Sequence, residues 1–285
     1  MTHHDNGETR QDGQPSQPSL LAGAFASLRL VPIAIGLLLV VLLAASIVNV
    51  VNMHKDRTLP DFDAVEDISE RKQAFFDFLA PIVMAENRRV LGQRERLLDL
   101  ARALRAGERI GLLDRRWLGR LAAEYDVARD PDAPQERTLE IVALLERRVD
   151  AVPVPLALVQ AATESGWGRS RFATEANNLF GHWCYEPGCG LVPERRNAGA
   201  GHEVAAFDSV AESVRRYVRN LNTHDAYAPL RAIRARMRRD GESPTAMALA
   251  DGLIRYSERR EAYVDEIKMV IRVNRPIIEK VRDTL

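Results

Sequence analysis

The sequence lacks an excess of charge of either sign, because 40 lysines and arginines balance 40 aspartates and glutamates among its 285 residues. This balance removes the global electrostatic argument for a nucleic-acid partner or an acidic membrane surface. The local exception is a run of five arginines from Arg231 to Arg239. Since no aromatic residues are interleaved with them, we interpret the run as a solvated helix face and not as a nucleic-acid site. Attraction to an anionic polymer is the alternative.

Cysteine is also scarce, with only two residues in the chain. Four good zinc ligands at suitable spacing are missing, so we expect no metal site and no cofactor. Cys184 and Cys189 are five positions apart, with Pro187 and Gly188 between them. This spacing permits a small disulfide loop in an oxidising compartment or two free thiols in a cytosolic loop. We favour the disulfide because the sequence also predicts a membrane anchor.

Charge is absent altogether from the 19 residues at 30–48. This stretch is long enough to cross a bilayer as a helix and longer than the apolar region of most signal peptides. The sequence therefore predicts a disordered polar tail at 1–29, a transmembrane anchor at 30–51 and a linker at 52–67. Cleavage near the small residues at 44–46 is the alternative. The arginines and lysines beside the anchor do not settle its topology, whereas a disulfide favours an external domain.

Beyond the linker, apolar residues recur at helical spacing, which predicts a helical subdomain over 68–148. Pro81 predicts a kink or break in its first helix. Another helix is predicted to begin near Pro153 and Pro155 and to end at Gly166.

The stretch that follows is rich in glycine and proline and holds two short runs, 190–195 and 203–207, which predict a small β-hairpin. Further helices complete the domain at 149–285. The fold class is therefore mainly α with a small β-hairpin lobe, and no internal repeat is present.

Glu164 stands in the last turn of the helix that ends at Gly166. The negative end of the helix dipole disfavours an ionised carboxylate there. If Trp167 and Phe180 also exclude water, desolvation raises the pKa of Glu164 further. A carboxyl group that stays protonated near neutral pH is suited to general acid catalysis. A solvent-facing glutamate without function is the alternative that spacing alone leaves open.

The sequence QAATESGWG at 160–168, with NLFG at 178–181, resembles the signature of glycoside hydrolase family 73, the bacterial β-N-acetylglucosaminidases. Within it, the chain is similar to the membrane-anchored Bax-type branch. That similarity rests on Trp-Cys at 183–184, PGCG at 187–190 and NLNTH at 220–224. The domain resemblance covers about 149–273, and the Bax-type resemblance reaches back to about Phe75.

This resemblance implies a lysozyme-like α fold that cuts the glycan backbone of peptidoglycan between GlcNAc and MurNAc. Glu164 matches the catalytic acid of the family. Glu194 is the better match to a second acidic residue, and Glu203 is the runner-up. Tyr256 matches a site tyrosine, and we interpret Tyr263 as a core aromatic residue. The separation of the carboxylates would distinguish inversion from retention, and participation by the substrate's N-acetyl group is a third mechanism.

The substrate-binding candidates have structural alternatives. Asn177 and Asn178 could bind the substrate amide or satisfy backbone groups of a turn. Phe180 and Trp183 could contact a sugar face, although Trp183 could equally cover the core beside the disulfide. We expect a glucosaminidase anchored in the bacterial inner membrane with its catalytic domain in the periplasm. A lytic transglycosylase and a non-catalytic wall-binding module are the alternatives.

Overall fold

The structure is a computed structural model that describes residues 59–128, 135–194 and 201–283, together with Leu38, Val40 and Val41. The predicted tail at 1–29 lies outside the described residues, as does the predicted anchor at 30–51 apart from those three helical positions. Among the residues described, no helix is both long enough and apolar enough to cross a membrane.

Helices dominate the described part of the chain. In chain order they are α1 (Ile68–Arg105), α2 (Leu112–Glu124), α3 (Gln135–Arg148), α4 (Val154–Ser165), α5 (Arg171–Ala176), α6 (Val210–Thr223), α7 (Ala228–Arg239), α8 (Ala246–Ala250), α9 (Glu261–Val273) and α10 (Arg275–Asp283). Short 3₁₀ turns lie at Asp225–Tyr227 and Asp251–Leu253. The strands are β1 (Trp183–Cys184), β2 (Gly190–Leu191) and β3 (Glu203–Ala205). This mainly helical chain with a small sheet agrees with the predicted fold class and is consistent with a lysozyme-like fold.

Helix α1 begins at Asp67, whose side chain accepts a hydrogen bond from the Glu70 backbone N–H at 2.8 Å. The helix runs without interruption through Pro81, so the break that the sequence allowed there is wrong. Proline inside a helix costs roughly 3 kcal/mol. The turns on both sides are buried and pack against other helices, and this packing holds the helix together across the proline.

One hydrophobic core extends from Phe62 to Val281. Helix α1 packs against α3, α4, α6 and α10, so the predicted subdomain at 68–148 shares its core with the predicted domain at 149–285. A helix of 38 residues has more apolar surface than α2 and α3 alone can cover, which explains the shared core.

Helix α4 lies inside this core and is apolar on nearly every side. It packs against α1, α8 and α9. Its first turn contains Pro155, and Gly166 ends it in the left-handed conformation (φ 59°) with its N–H bonded to the Ala162 carbonyl. Both predicted boundaries of the helix are therefore confirmed. Since α4 is held on several sides, the side chains of its last turn have a fixed position.

The arginine run of α7 does not form one solvated face, which corrects the interpretation from sequence. Arg231 and Arg234 are buried, and Arg234 is only 1% exposed. Arg231 donates to the carbonyls of Leu221, in the last turn of α6, and of His224, just beyond its end. Arg234 donates to the Arg147 carbonyl at the end of α3 and is paired with the buried Asp150. Charged side chains are buried here because the carbonyls at helix ends need donors.

The small sheet has three antiparallel strands in the order β1-β3-β2. The predicted hairpin is present as the β2–β3 pair, in which Gly190 lies opposite Ala205. The sequence missed β1, which pairs Trp183 with Val204 and Cys184 with Glu203 on the other side of β3. Two residues give no period-2 pattern, so only tertiary contact identifies β1 as a strand. Strand β2 ends at Leu191, so Glu194 lies beyond it and not in the first strand.

Candidate active site

Glu164 lies in the last turn of α4, and its carboxylate is held by a single hydrogen bond among the described residues. The Tyr263 hydroxyl donates to its Oε1 at 2.8 Å. The other oxygen, Oε2, lies beside Gly181, where a Cβ would be 3.6 Å away. Helix α4, the segment around Gly181 and the start of α9 therefore meet at one half-buried carboxylate.

The surroundings of Glu164 favour its protonated form. Burial is the largest effect and raises the pKa of Glu164 above its ordinary value. The hydrogen bond from Tyr263 and the charge of Arg259 lower this pKa, whereas Glu266 raises it. The net direction is upward, in agreement with the argument from the helix end. A carboxyl group of this kind can hold a proton and donate it.

Tyr263 belongs to the site, which the sequence interpretation missed. Its side chain is buried, as expected of a core aromatic residue, yet its hydroxyl is bonded to Glu164. Gln160, one helical turn before Glu164, donates to the same hydroxyl at 3.0 Å. The available signal was Gln160, a polar residue in an otherwise apolar helix on the face that carries Glu164.

Tyr256, the predicted site tyrosine, lies beside Tyr263 and does not bond to Glu164. The two rings stack with centroids 5.4 Å apart and planes 4° apart. The Tyr256 hydroxyl donates to the Phe180 carbonyl at 2.9 Å. Phe180 itself stacks on Tyr217 with centroids 4.0 Å apart. Tyr256 and Phe180 therefore fix the segment that brings Gly181 to the carboxylate.

Three consecutive residues after α4 have positive φ: Gly166, Trp167 and Gly168. A Cβ at Gly168 would come within 2.7 Å of the Phe62 ring, so glycine is required there by close packing as well as by φ. Trp167 packs against Phe75 and Phe76 of α1, with ring centroids 5.9 and 5.2 Å away. The Gly-Trp-Gly sequence thus joins the end of α4 to α1. The ring contacts of Trp167 are with α1, whereas the hydrogen bond to Glu164 comes from Tyr263.

The two asparagines of the motif have their side chains bonded within the protein. Asn177 ends α5 in the left-handed conformation and donates to the Phe207 carbonyl. Asn178 is 1% exposed, donates to the carbonyls of His182 and Ala205, and accepts from the His182 N–H. The structure therefore places both asparagines as supports of the loop between α5 and the sheet.

Cys184 and Cys189 form a disulfide, as the sequence favoured. Glu203, opposite Cys184 in the sheet, is 7% exposed. Its two carboxylate oxygens accept from the N–H groups of Gly188 and Gly190 at 3.0 and 2.9 Å. The two sulfurs lie close enough to Glu203 to suggest a metal-ligand group, but they are bonded to each other. Glu203 therefore secures the disulfide loop to β3.

Glu194 and Trp183 are exposed on the β-lobe. The side chain of Glu194 is 82% exposed and approaches Arg171 at 3.8 Å. Trp183 is 51% exposed, and its ring stacks on His202 with centroids 3.9 Å apart. An exposed indole on a small sheet offers an apolar face to a ligand, and an exposed carboxylate is free to reorient.

The residues that build the site define a glucosaminidase domain. The chain matches the glucosaminidase family, described as mannosyl-glycoprotein endo-beta-N-acetylglucosaminidase, over residues 140–275. This range contains Gln160, Glu164, Gly181 and Tyr263, the residues that meet at the carboxylate.

The chain is 32% identical over 229 residues to protein bax of Escherichia coli (strain K12). The similar region covers 80% of this chain and 78% of that protein. The chain therefore belongs to the family of Bax-type proteins that carry a glucosaminidase domain. No solved structure matches it significantly.

Proposed function

We propose that this protein is an endo-β-N-acetylglucosaminidase that hydrolyses the β-1,4 bond between GlcNAc and MurNAc in peptidoglycan. The observation that carries the proposal is Glu164, a half-buried carboxyl group with a raised pKa and one oxygen without a hydrogen bond among the described residues. The glucosaminidase family match supports a glycosidic substrate. Glu164 acts as the general acid in this proposal.

In the proposed reaction, Glu164 donates its proton to the glycosidic oxygen as the bond from that oxygen to the anomeric carbon breaks. Protonation makes the departing sugar a neutral alcohol and lowers the barrier. Water then supplies a hydroxyl to the anomeric carbon, and its remaining proton returns to a carboxylate. Tyr263 holds the Glu164 side chain by its hydrogen bond, which also stabilises the carboxylate after the proton has left.

Glu194 is the proposed second carboxylate. Both oxygens of Glu203 already bind backbone N–H groups, which makes that residue less available for chemistry. Glu194 is exposed, and its ion pair with Arg171 at 3.8 Å holds it only weakly. If Glu194 proves dispensable, participation by the substrate's N-acetyl group replaces it.

Trp183 is the proposed sugar platform, because its exposed ring lies on the same small lobe as Glu194. Phe180 and Tyr256 support the substrate side of the site through their mutual hydrogen bond. Asn177 and Asn178 contribute to binding by fixing the loop before Gly181 and not by contacting the substrate amide.

We further propose that residues 30–51 anchor the chain in the bacterial inner membrane with the catalytic domain in the periplasm. The Cys184–Cys189 disulfide supports an oxidising compartment. A periplasm-dependent reporter fused after Leu285 tests this topology. Absence of reporter activity in an expressed fusion would reject it.

A lytic transglycosylase is the second candidate, because it needs only one glutamate, and Glu194, the proposed second carboxylate, is 82% exposed and held only by a 3.8 Å ion pair with Arg171. Product analysis separates the two activities. Purified peptidoglycan is digested with the full-length chain in detergent, and the new ends are identified by mass spectrometry. Reducing-end GlcNAc supports the glucosaminidase, whereas 1,6-anhydro-MurNAc identifies a transglycosylase.

Glu164→Gln should abolish cleavage in this assay. Glu175→Gln is the matched control, because Glu175 is an exposed glutamate near the end of α5. No cleavage by the wild-type chain, or equal cleavage by wild type and Glu164→Gln, would reject the catalytic assignment.

A further inference from the structure

A continuous line of hydrogen bonds connects the core to the carboxylate of Glu164. The Tyr217 hydroxyl of α6 donates to Oε1 of Gln160 at 2.7 Å. Nε2 of Gln160 donates to the Tyr263 hydroxyl oxygen at 3.0 Å. Tyr263 in turn donates to Oε1 of Glu164 at 2.8 Å. Tyr217 and Gln160 are both 0% exposed, and Tyr263 is 1% exposed, so water does not compete for these bonds.

The orientation of the Gln160 amide follows from the hydrogen-bond needs of Tyr217. With the amide reversed, the Tyr217 hydroxyl would accept from Nε2, and its own hydrogen would lose the acceptor that it has in the structure, Oε1 of Gln160. A buried donor without an acceptor costs about 1–3 kcal/mol. Tyr217 therefore donates to Oε1 of Gln160, and Nε2 faces Tyr263.

The direction of the next bond is then fixed. An amide N–H only donates, so the Tyr263 oxygen must accept from Gln160. Its single hydrogen consequently points to Oε1 of Glu164, which can only accept. Because the carbonyl oxygen of a protonated carboxyl group is a better acceptor than its hydroxyl oxygen, the proton is favoured on Oε2, the oxygen beside Gly181.

We propose that Gln160, oriented by Tyr217, is a positioning residue that keeps the acidic proton of Glu164 on Oε2. This inference rests on the proposed role of Glu164 as the general acid. In this arrangement, Oε1 of Glu164 is held by Tyr263 and Oε2 delivers the proton. Gln160 acts through Tyr263 and does not touch the substrate.

Several titratable groups interact electrostatically with Glu164, including the two tyrosines of this line of bonds. They are Arg259 in the segment before α9, Glu266 on α9, and the hydroxyls of Tyr217, Tyr227, Tyr256 and Tyr263. Burial and Glu164 itself raise the pKa of Tyr263, so this hydroxyl stays protonated and remains a donor at neutral pH.

Gln160→Met is the first test, because methionine has nearly the same volume but cannot hydrogen-bond. Without Nε2, the Tyr263 oxygen can accept a hydrogen bond from a protonated Oε1, which stabilises the protonated carboxyl group and raises its pKa. Some of the molecules with a protonated Glu164 then carry the proton on Oε1 instead of Oε2. We expect kcat to fall about 5- to 10-fold, as for the loss of one hydrogen bond. KM should stay within about twofold, and the basic limb of the pH–rate profile should move to higher pH.

The titration of Glu164 is measured directly in the full-length chain labelled with [¹³C]glutamate, and Glu164→Gln identifies its carboxyl signal by NMR. Gln160→Met should raise the titration midpoint. Tyr217→Phe, which removes one oxygen and keeps the ring, should raise it by a smaller amount. In a Tyr263→Phe background, Gln160→Met should cause no further shift.

Tyr125→Phe is the control, because the hydroxyl of the buried Tyr125 also donates to a glutamine, Gln93, and lies outside this line of bonds. Circular dichroism establishes whether each variant is folded. If Gln160→Met does not fold, Tyr217→Phe serves as the test. An unchanged midpoint in a folded Gln160 or Tyr217 variant, or full additivity with Tyr263→Phe, overturns the inference. A wild-type chain that fails to cleave peptidoglycan rejects the proposed function instead, and the titration still decides the hydrogen-bond arrangement.

Discussion

The Tyr263 hydroxyl donates to Oε1 of Glu164 at 2.8 Å, although 99 positions separate the two residues in sequence. This contact joins the end of α4 to the first turn of α9. It leaves Oε2 as the carboxylate oxygen without a hydrogen bond from the described residues. Because Oε2 lies beside Gly181, the geometry at that glycine should affect catalysis directly.

Gly181→Ala should reduce kcat by about 10-fold or more. The new Cβ would lie 3.6 Å from Oε2, in the space where a glycosidic oxygen must approach. Gly188→Ala is the matched control, since Gly188 also has positive φ (83°) but a Cβ there would meet nothing within 4 Å. Each substitution should cost roughly 1–2 kcal/mol of stability through its backbone conformation. Equal turnover by the two folded variants would show that the space beside Oε2 is not used.

Glu194→Gln should affect turnover, whereas Glu203→Gln should affect stability. Glu194→Gln should lower kcat at least about 100-fold, as for loss of a general base or nucleophile, without changing stability. Glu203→Gln should lower the free energy of unfolding by about 1–2 kcal/mol, because one of its two backbone hydrogen bonds is lost. Urea unfolding and peptidoglycan turnover measure the two effects. Full activity of Glu194→Gln would indicate substrate participation or transglycosylation.

Glu164→Gln should make the protein more stable at neutral pH. Burial raises the folded-state pKa of Glu164 above its unfolded value of 4.5, so folding is disfavoured once the group ionises. This destabilisation is absent below the unfolded value and develops as pH rises through the folded-state pKa. The difference in Tm between variant and wild type should therefore be positive at pH 7.5 and vanish near pH 3.5. A difference that does not depend on pH would contradict this origin, and Glu175→Gln provides the surface control.

His182 should make stability depend on pH in the acidic range. Burial first, and then the charge of Arg216, lower its pKa from 6.5 to about 4. The free energy of unfolding should therefore be unaffected by protonation of His182 above pH 6.5. It should fall by up to roughly 3 kcal/mol as pH falls from 6.5 to 4, because the unfolded chain binds the proton more readily. His182→Phe should remove this dependence, because the ring packs near Phe180 and Phe207 and its Nε2 has no hydrogen-bond partner in the described part of the chain. Urea unfolding at half-unit pH steps measures the slope.

Features that depend on neighbouring residues in the chain were predictable from the sequence, whereas features that depend on contacts between distant residues were not. The ends of α4 were predictable because proline and glycine act on their own backbone. Strand β1 and the buried arginines of α7 were missed, because they depend on β3 and on the ends of α3 and α6.

For the candidate site, the sequence by itself determined that Glu164 lies in the last turn of α4, because proline and glycine define the ends of that helix locally. It also determined the glycines whose φ angles turn the chain after α4. Only the tertiary structure decided which tyrosine holds the carboxylate and which oxygen it binds. It also decided that Glu203 secures the disulfide loop. Those choices depend on distances between side chains far apart in the chain, and helical spacing carries no information about them.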